Sequence, residues 1–504
     1  MRRATKLRRS KESGELESVA TGLDLTIGYL GVMAMLIGVM LLVPLLFLPF
    51  WPDEVGYAWC FLAPATVMLG GGAIANMRIH GREKGHLERG QDSVILVLTW
   101  TMAMIACAVP FMLACNMSFS AAVFESISGL STTTFTMLVP EDVPKVVLLF
   151  RSLLLFFGGI GLVLIVVSAI SDSHGMRLYV TEGHTDRLLP NLKRSAKLIL
   201  SIYATLIVVG TLAYMAVGVN DFDALIHAIG AVCTGGFSTH SNSIEFFQSI
   251  PVEIITCVLM ILGGTGCALH MLLITGRRRD FWRDIETRSY AFTLLGGIIL
   301  TTCVLLVEGT YDNLGDALRC SAFQIISAVT TTGFQSVSTY SEWPSAARLL
   351  LILGMVLGAE TESTGGGIKQ WRVAEVGRML WWNVRATITH RRRVHSDMIM
   401  RLGRRRKLEQ DEMTSATVFS LVYLLTLFAG TLAYTLCGHS IGQSFFEFAS
   451  ALGTVGLSSG IAVRGASLPV IWITIAGMFL GRLEIYPIIT AFARARLVSQ
   501  NRER

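Results

Sequence analysis

The chain has 504 residues, of which 52% are hydrophobic and only 15% are charged. Its mean hydropathy of +0.57 excludes an ordinary set of soluble domains and indicates a protein surrounded by lipid. The formal net charge of +6 would indicate a nucleic-acid partner only if the basic residues shared one folded face. These residues lie instead in short segments between apolar stretches, so we expect a membrane and no nucleic acid.

Ten apolar stretches approach the length of about 20 residues that a helix needs to cross a bilayer. They cover residues 25–50, 57–75, 93–112, 147–170, 196–217, 250–275, 290–307, 346–370, 416–437 and 468–493. The connections between them alternate between basic and nearly free of Lys and Arg. Because basic residues hold loops in the cytoplasm, this pattern predicts a multi-pass protein of the bacterial inner membrane with both termini in the cytoplasm.

Four shorter segments, at 119–138, 222–241, 314–339 and 441–462, each lie between two predicted spans and end in an uncharged string rich in Thr, Gly and Ser. The strings align as SGLSTTTF (128–135), GAVCTGGF (230–237), SAVTTTGF (327–334) and SALGTVGL (450–457). A motif that recurs at such long intervals indicates an internal repeat. The predicted fold is therefore an all-α membrane protein, with an N-terminal helix pair followed by four repeats of helix, re-entrant pore loop and helix around one central pore.

The repeats predict a division of the chain into six parts. An N-terminal cytoplasmic segment and the extra helix pair take residues 1–90, and a basic cytoplasmic linker takes residues 385–412. The pore repeats take residues 91–190, 191–287, 288–384 and 413–504, and the third of them contains an intramembrane gating loop.

Non-helical backbone at membrane depth is tolerated only where it is buried in protein or lines a wet cavity. Four such segments must therefore converge. A half-helix that enters from outside points its partially negative end inward, and the carbonyl groups that follow can replace the hydration shell of a cation. The alternative is that small residues merely let helices pack closely, but four strings in register favour a cation pathway.

Several motifs resemble the TrkH/KtrB/HKT superfamily of potassium transporters, and the extra helix pair is similar to its TrkH branch. The filter-like strings are CTGGFSTH (233–240), TTTGF (330–334) and GTVGLS (453–458), and the helices that follow carry FFGGIG (156–161), LGGTGCALH (262–270) and LGRLEI (480–485). The resemblance implies potassium uptake, a homodimer with one pore per protomer, and regulation by a cytosolic nucleotide-binding subunit of the TrkA type. It implies no cofactor beyond K⁺, the bound and transported ion.

The same resemblance implies a K⁺-binding selectivity filter at one pair of residues in each repeat. The pairs are Thr133 and Thr134, Gly235 and Gly236, Thr332 and Gly333, and Val455 and Gly456. Thr134 departs from the family pattern, which usually has glycine there. Either the local carbonyl turns or the hydroxyl becomes a ligand, so we expect weakened rejection of sodium. A sodium-permeable or poorly selective pathway is thus the alternative to a potassium-selective one.

A gate is expected below the filter in the third repeat. The apolar stretch from 346 to 357 is too short to span the membrane, so the polar string GAETESTGGGIK (358–369) begins within it and should line a cavity. The resemblance implies an intramembrane gate at Glu360, Glu362, Ser363, Thr364, Gly365, Gly366, Gly367, Lys369 and Arg482. The two glutamates depart from the family's small neutral residues. The alternative is a cytoplasmic helix cap.

Further charged residues leave two interpretations open. Arg482 is either an electrostatic barrier beneath the filter or half of a structural ion pair between helices. Glu125 and Glu447 either strengthen the negative field near the filter or bond to loop amides, and the second interpretation is preferred. His270 is expected to be a hydrogen-bonded core residue. The arginines of the basic linker either anchor the chain to anionic lipid or dock a regulatory subunit.

Other classes of protein fit the sequence less well. No metalloprotease or serine hydrolase motif occurs, so an enzyme is not expected. Broken helices also mark ion-coupled symporters that work by alternating access. Four pore-loop repeats favour a continuous pathway over a symporter, and single-channel current would separate the two.

Overall fold

The computed structural model describes residues 7–9, 16–18, 22–80, 88, 90–161, 192–337, 342–389 and 398–503. Numbered in chain order, the α-helices of the first half are α1 Leu23–Leu42, α2 Ala58–Asn76, α3 Gln91–Ala114, α4 Phe119–Leu130, α5 Lys145–Ile160, α6 Leu192–Ala216, α7 Asp221–Val232, α8 Ile250–Gly263 and α9 Cys267–Ile274. Those of the second half are α10 Arg278–Arg283, α11 Ile285–Val307, α12 Leu314–Val329, α13 Ser345–Leu357, α14 Gln370–Thr389, α15 Gln410–Leu436, α16 Ile441–Leu452, α17 Leu468–Arg482 and α18 Tyr486–Glu503.

Short 3₁₀ helices and two hairpins complete the described structure. The 3₁₀ helices are Val43–Phe50, Pro52–Tyr57, Pro140–Asp142 and Ser243–Phe247. The strands are β1 Leu7–Arg9 and β2 Leu16–Ser18, which pair antiparallel, and β3 Met398–Arg401 and β4 Arg404–Lys407, which also pair antiparallel. The predicted all-α membrane fold is confirmed, since the only strands in the described residues are these small hairpins.

Six described helical segments are long and apolar enough to cross a membrane, and two bent pairs raise that number to as many as eight. Helices α8 and α9 meet at 105°, and α17 meets α18 at 100°. The sequence-based prediction of continuous spans at 250–275 and 468–493 is therefore wrong. The predicted span at 147–170 lies partly outside the described residues, because only α5, ending at Ile160, is described.

The two bends follow glycines that pack tightly against the pore helices. A Cβ atom on Gly263 would lie 2.4 Å from the carbonyl oxygen of Val232, the last residue of α7. A Cβ atom on Gly481 would lie 2.1 Å from that of Leu452, the last residue of α16. Because only glycine permits this approach, α8 and α17 contact the ends of two pore helices just before the chain turns.

Four short helices, α4, α7, α12 and α16, begin in the same way. Each has a Ser or Asn cap whose side chain accepts a hydrogen bond from a first-turn amide, and the caps are Ser118, Asn220, Asn313 and Ser440. Such caps fix the start of a helix. We call these four helices the pore helices and the strings that follow them the filter loops.

Each pore helix packs between the helix before it and the helix after it in the chain. The units are α3–α4–α5, α6–α7–α8, α11–α12–α13 and α15–α16–α17. The third helix of each unit also packs against the pore helix of the next unit, in the pairs α5 with α7, α8 with α12, α13 with α16 and α17 with α4. Because the last pair returns to the first unit, the four units close a ring, and α1 and α2 pack beside it against α3.

The third unit differs in its last helix. Helix α13 has 13 residues, a rise of about 20 Å, which is short of the about 30 Å hydrocarbon core. It ends at Leu357, where the glycine-rich string begins, and Gly358 follows with a φ of 73°. The chain between α13 and α14 is the loop that the sequence predicts to be a gate, and we call residues 358–369 the gate loop.

Candidate pore and gate

The four filter loops turn by the same backbone device. Directly after each pore helix, the fifth residue of the string is a threonine with positive φ. These residues are Thr132 at 60°, Thr234 at 48°, Thr331 at 55° and Thr454 at 53°. Left-handed backbone is uncommon in residues other than glycine and concentrates at functional sites. Four threonines at one position therefore give the four loops one common shape.

Loops one, two and three contact one another at the predicted filter residues. The Gly236 amide donates a hydrogen bond to Thr134 Oγ1 at 3.1 Å. A Cβ atom on Gly236 would lie 2.6 Å from the carbonyl carbon of Gly333. Thr134 itself has a φ of 65°, a value that glycine adopts more readily. Its hydroxyl is therefore part of the wall between loops one and two.

The remaining two contacts close the circle. A Cβ atom on Gly333 would lie 1.9 Å from the carbonyl oxygen of Val455. A Cβ atom on Gly456 would lie 1.9 Å from the carbonyl oxygen of Thr133. Because real Cβ atoms cannot approach so closely, glycine is required at both positions. The four loops thus meet in a continuous ring, which we call the filter ring.

Side chains of the predicted filter pairs are mostly occupied on their own loops. The Thr133 hydroxyl lies 2.7 Å from that of Ser131, and the Thr332 hydroxyl lies 2.7 Å from that of Thr330. At Gly235, a Cβ atom would lie 2.6 Å from Leu155 Cδ2. The main-chain carbonyl groups, rather than these hydroxyls, are therefore the available oxygen ligands.

The filter ring opens on one side to a cavity of 230 Å³, which is lined by the seventh string residue of every repeat: Thr134, Gly236, Gly333 and Gly456. His240 and Gln335 also line it. A polar space in direct contact with all four loops gives an ion a hydrated approach to the ring.

The gate loop lies against the inner side of three filter loops. The Thr234 hydroxyl donates to Thr364 Oγ1 at 2.9 Å, and the Gly366 amide donates to Thr331 Oγ1 at 2.7 Å. A Cβ atom on Gly366 would lie 2.3 Å from Thr454 Oγ1. The loop is thus joined to the same left-handed threonines that shape the filter ring.

Most predicted gate residues line one small cavity beneath the ring. They are Glu362, Ser363, Gly365, Gly366, Gly367, Lys369 and Arg482. The Lys369 ammonium also donates to the carbonyl of Gly365. The cavity measures 30 Å³, roughly the volume of one or two water molecules. The gate loop therefore fills the space through which an ion would leave the ring.

Glu360 lies elsewhere. Its side chain is fully buried, and its Oε2 accepts a hydrogen bond from the Gly266 amide at 2.9 Å, in the break between α8 and α9. It does not line the cavity beneath the ring, whereas Glu362 does. Of the two glutamates, Glu362 is thus the one placed to meet a cation.

Arg482 joins the fourth repeat to the first. Its guanidinium donates to the carbonyl groups of Gly158, and of Gly159 at 3.3 Å, near the end of α5. Glu484 instead pairs with Arg372 of α14 at 2.6 Å. Arg482 thus brings its positive charge to the wall of the cavity beneath the filter ring.

The cytoplasmic helix α14 directly follows the gate loop. Burial, followed by the nearby carboxylate of Glu412, raises the pKa of Glu375 to about 7. Arg401 of the β3–β4 hairpin stacks over Trp371, with its guanidinium carbon 3.7 Å from the ring centroid. The basic linker is therefore folded against the first turns of α14.

The lone polar residues of the sequence analysis are hydrogen-bonded. His270 Nε2 lies 2.9 Å from the carbonyl oxygen of Leu262. Glu125 accepts from the Met137 amide at 3.1 Å, and Glu447 accepts from the Ala462 amide at 2.8 Å. The preferred interpretation, that the two glutamates bond to loop amides, is confirmed.

Sequence reasoning missed three features of the site: the left-handed threonines, His227 and Arg151. Arg151 is 1% exposed in α5 and pairs with Glu125, with Nε 2.8 Å from Oε1. The signal was present, because an arginine inside an apolar span must face protein or water, but only Arg482 was considered in this way.

The chain was compared with known families and proteins. The family model TrkH, described as a cation transport protein, matches residues 71–500. The Trk system potassium uptake protein TrkH of Salmonella typhimurium is 32% identical over 426 residues, which cover 82% of this chain and 86% of that protein. The protein of the same name from Halomonas elongata is 31% identical over 481 residues, which cover 92% and 97%.

The fold has a solved counterpart of nearly the same extent. The crystal structure of the potassium transporter TrkH from Vibrio parahaemolyticus matches with a TM-score of 0.82 at 26% identity, covering 93% of this chain and 98% of that one. A family match over most of the chain, with a relative above 30% identity, agrees with the ring geometry. The chain belongs to the TrkH family of cation transport proteins.

Proposed function

We propose that this chain is a potassium uptake protein, in which the filter ring is the selectivity filter of a gated pathway for monovalent cations. The closure of four loops around one axis is the observation that carries the proposal. Backbone carbonyl groups held in a ring can replace the hydration shell of a dehydrated ion. The potassium named in the relatives' titles fits such a ring.

The gate residues have the second part of this role. Thr364, Gly366 and their neighbours would block the exit in the described conformation, and displacement of the gate loop would open it. Arg482 adds a positive charge that opposes a cation beneath the ring. The pathway opens when the loop and the arginine leave the axis.

Purified protein in planar bilayers with a potassium gradient tests the proposal. We expect unitary currents that reverse near the potassium equilibrium potential. Uptake that requires a second ion gradient and shows no unitary current would favour an ion-coupled symporter. Absence of any cation flux from correctly folded protein would overturn the proposed function.

A less selective K⁺/Na⁺ pathway is the second candidate, and Thr134 favours it. Thr134→Gly removes the hydroxyl that accepts from Gly236 and supplies the residue that the other three loops have. We expect the sodium-to-potassium permeability ratio to fall by about tenfold, which corresponds to roughly 1.4 kcal/mol.

Bi-ionic reversal potentials measure this ratio, and Thr134→Ser is the matched control because it keeps the hydroxyl. The serine variant should behave like the original protein. An unchanged ratio in Thr134→Gly would show that the threonine does not set selectivity.

We also propose a homodimer with one pore in each protomer, regulated by a cytosolic nucleotide-binding subunit of the TrkA type. The words "Trk system" in the relatives' names support a multi-component assembly. The basic hairpin β3–β4 beside α14 offers a cytoplasmic contact close to the gate loop. Light scattering of the purified protein, with and without the nucleotide-binding subunit, measures both associations.

A further inference from the structure

The four pore helices carry a polar residue at one equivalent position, three residues before each filter string begins. These residues are Glu125, His227, Gln324 and Glu447. All four are fully buried. Because a buried polar group is costly without a partner, their shared position suggests a shared task.

In three repeats this residue bonds to the side chain eleven positions later, just beyond the filter string. Thr136 Oγ1 donates to Glu125 at 2.9 Å, and Ser458 Oγ donates to Glu447 at 2.7 Å. The corresponding pair in the second repeat joins His227 Nε2 and Ser238 Oγ at 2.9 Å. Each bond ties the outer end of a filter loop back to its own pore helix.

We propose that Glu125, His227 and Glu447 are positioning residues that set ion selectivity by holding the outer ends of three filter loops. The proposal rests on the proposed function, in which the filter ring dehydrates the ion. Selectivity between ions of different size or field strength requires carbonyl groups held in place, and a loop fixed at both ends moves less than one fixed at a single end.

Glu447 makes the most extensive of these attachments. Its two carboxylate oxygens accept from the hydroxyl groups of Ser458 and Ser459 and from the amides of Ser459 and Ala462. Four donors on one buried carboxylate fix the segment from 458 to 462 against α16. Hydrogen bonds to a charged group are roughly twice as strong as neutral ones.

The first repeat adds an attachment between repeats. Arg151 donates to Glu125 Oε1 at 2.8 Å and to Thr136 Oγ1 at 3.0 Å. Its guanidinium carbon also lies 3.9 Å from the ring centroid of Phe237, which ends the second filter string. Loops one and two are therefore held to each other as well as to their own pore helices.

The third repeat supplies an internal control. Neither amide atom of Gln324 has a hydrogen-bond partner in the part of the chain that the structure describes. The loop residue eleven positions later, Gln335, is instead bonded through its backbone to Ser243 and Glu245 of the second repeat. Gln324 thus shares the position and the burial of the other three without their attachment.

The experiment compares Glu447→Gln with Gln324→Met by bi-ionic reversal potentials of the purified protein. In Glu447→Gln the new amide group cannot accept, so we expect the sodium-to-potassium permeability ratio to rise about tenfold while current remains. Gln324→Met keeps the shape and removes an unpaired amide, so its ratio should stay within about twofold of the original. Gel filtration and thermal unfolding verify that both variants fold.

Ser458→Ala decides the question if Glu447→Gln does not fold, because it removes one hydroxyl donor and leaves the carboxylate in place. We expect the ratio to rise about threefold. An original ratio in the folded Glu447 or Ser458 variant, or an equal rise in Gln324→Met, would overturn the proposal. Absence of cation current from the unmodified protein would instead overturn the proposed function.

Discussion

Gly456→Ala is expected to abolish selective potassium flux. The added Cβ atom would lie 1.9 Å from the carbonyl oxygen of Thr133, and Gly456 has a φ of 96°. Neither neighbour can yield cheaply, because both are backbone of the filter ring. We expect potassium uptake to fall by at least about a hundredfold, the size of effect that removal of one preorganised electrostatic group can have.

Gly460→Ala is the matched control for this variant. Gly460 lies four residues further along the same loop with a φ of 91°, and no atom lies within 4 Å of its added Cβ. It therefore imposes similar backbone strain without entering the ring. Uptake assays in cells that lack other potassium uptake systems measure both variants. Equal losses in the two would indicate that strain, and not ring geometry, is responsible.

Arg482→Ala is expected to raise open-pathway conduction. The guanidinium lines the 30 Å³ cavity and donates to the carbonyl groups of Gly158 and Gly159. Its removal takes a positive charge and the bulk of a long side chain from beneath the filter ring. A gain of about 1.4 kcal/mol for a cation at this position corresponds to a tenfold rise in flux.

Arg482→Lys is the control, because it keeps the charge and one donor. Flux through the lysine variant should stay near the original, and single-channel recording measures both. If Arg482→Ala mainly lowers the yield of folded protein, without a rise in current per molecule, then Arg482 is a structural link between α17 and α5 and not a barrier.

The filter loops were predictable from sequence because they break two rules at once. A string such as SAVTTTGF (327–334) is too uncharged for an external loop and too rich in Gly and Thr for a spanning helix. Only a segment buried in protein at membrane depth satisfies both conditions. The end of α13 at Leu357 followed from the same reasoning, since the polar residues after it need water or protein partners.

The bends at α8–α9 and α17–α18 were not predictable in the same way. Mean hydropathy is continuous across 250–275 and 468–493, and it does not report the direction of a helix. The bends depend on contacts with distant parts of the chain, such as Gly481 against Leu452 and Glu484 with Arg372. The burial of Glu360 away from the cavity depends likewise on the break at Gly266.

The left-handed threonines illustrate a further limit. A threonine in a string predicts a hydroxyl ligand as readily as a turn, and propensity favours extended backbone for this β-branched residue. Thr132 and its three equivalents adopt positive φ because the chain must reverse directly after each pore helix. Tertiary context, which a single sequence does not contain, decides between the two roles.

Anomalous diffraction from crystals grown with rubidium in place of potassium tests the central claim most directly. Four loops around one axis should hold a dehydrated monovalent ion by their main-chain oxygens. The expected result is an anomalous peak inside the filter ring, within coordination distance of carbonyl groups from Thr133, Gly235, Thr332 and Val455. Protein that conducts rubidium but shows its only anomalous peaks outside this ring would contradict the account.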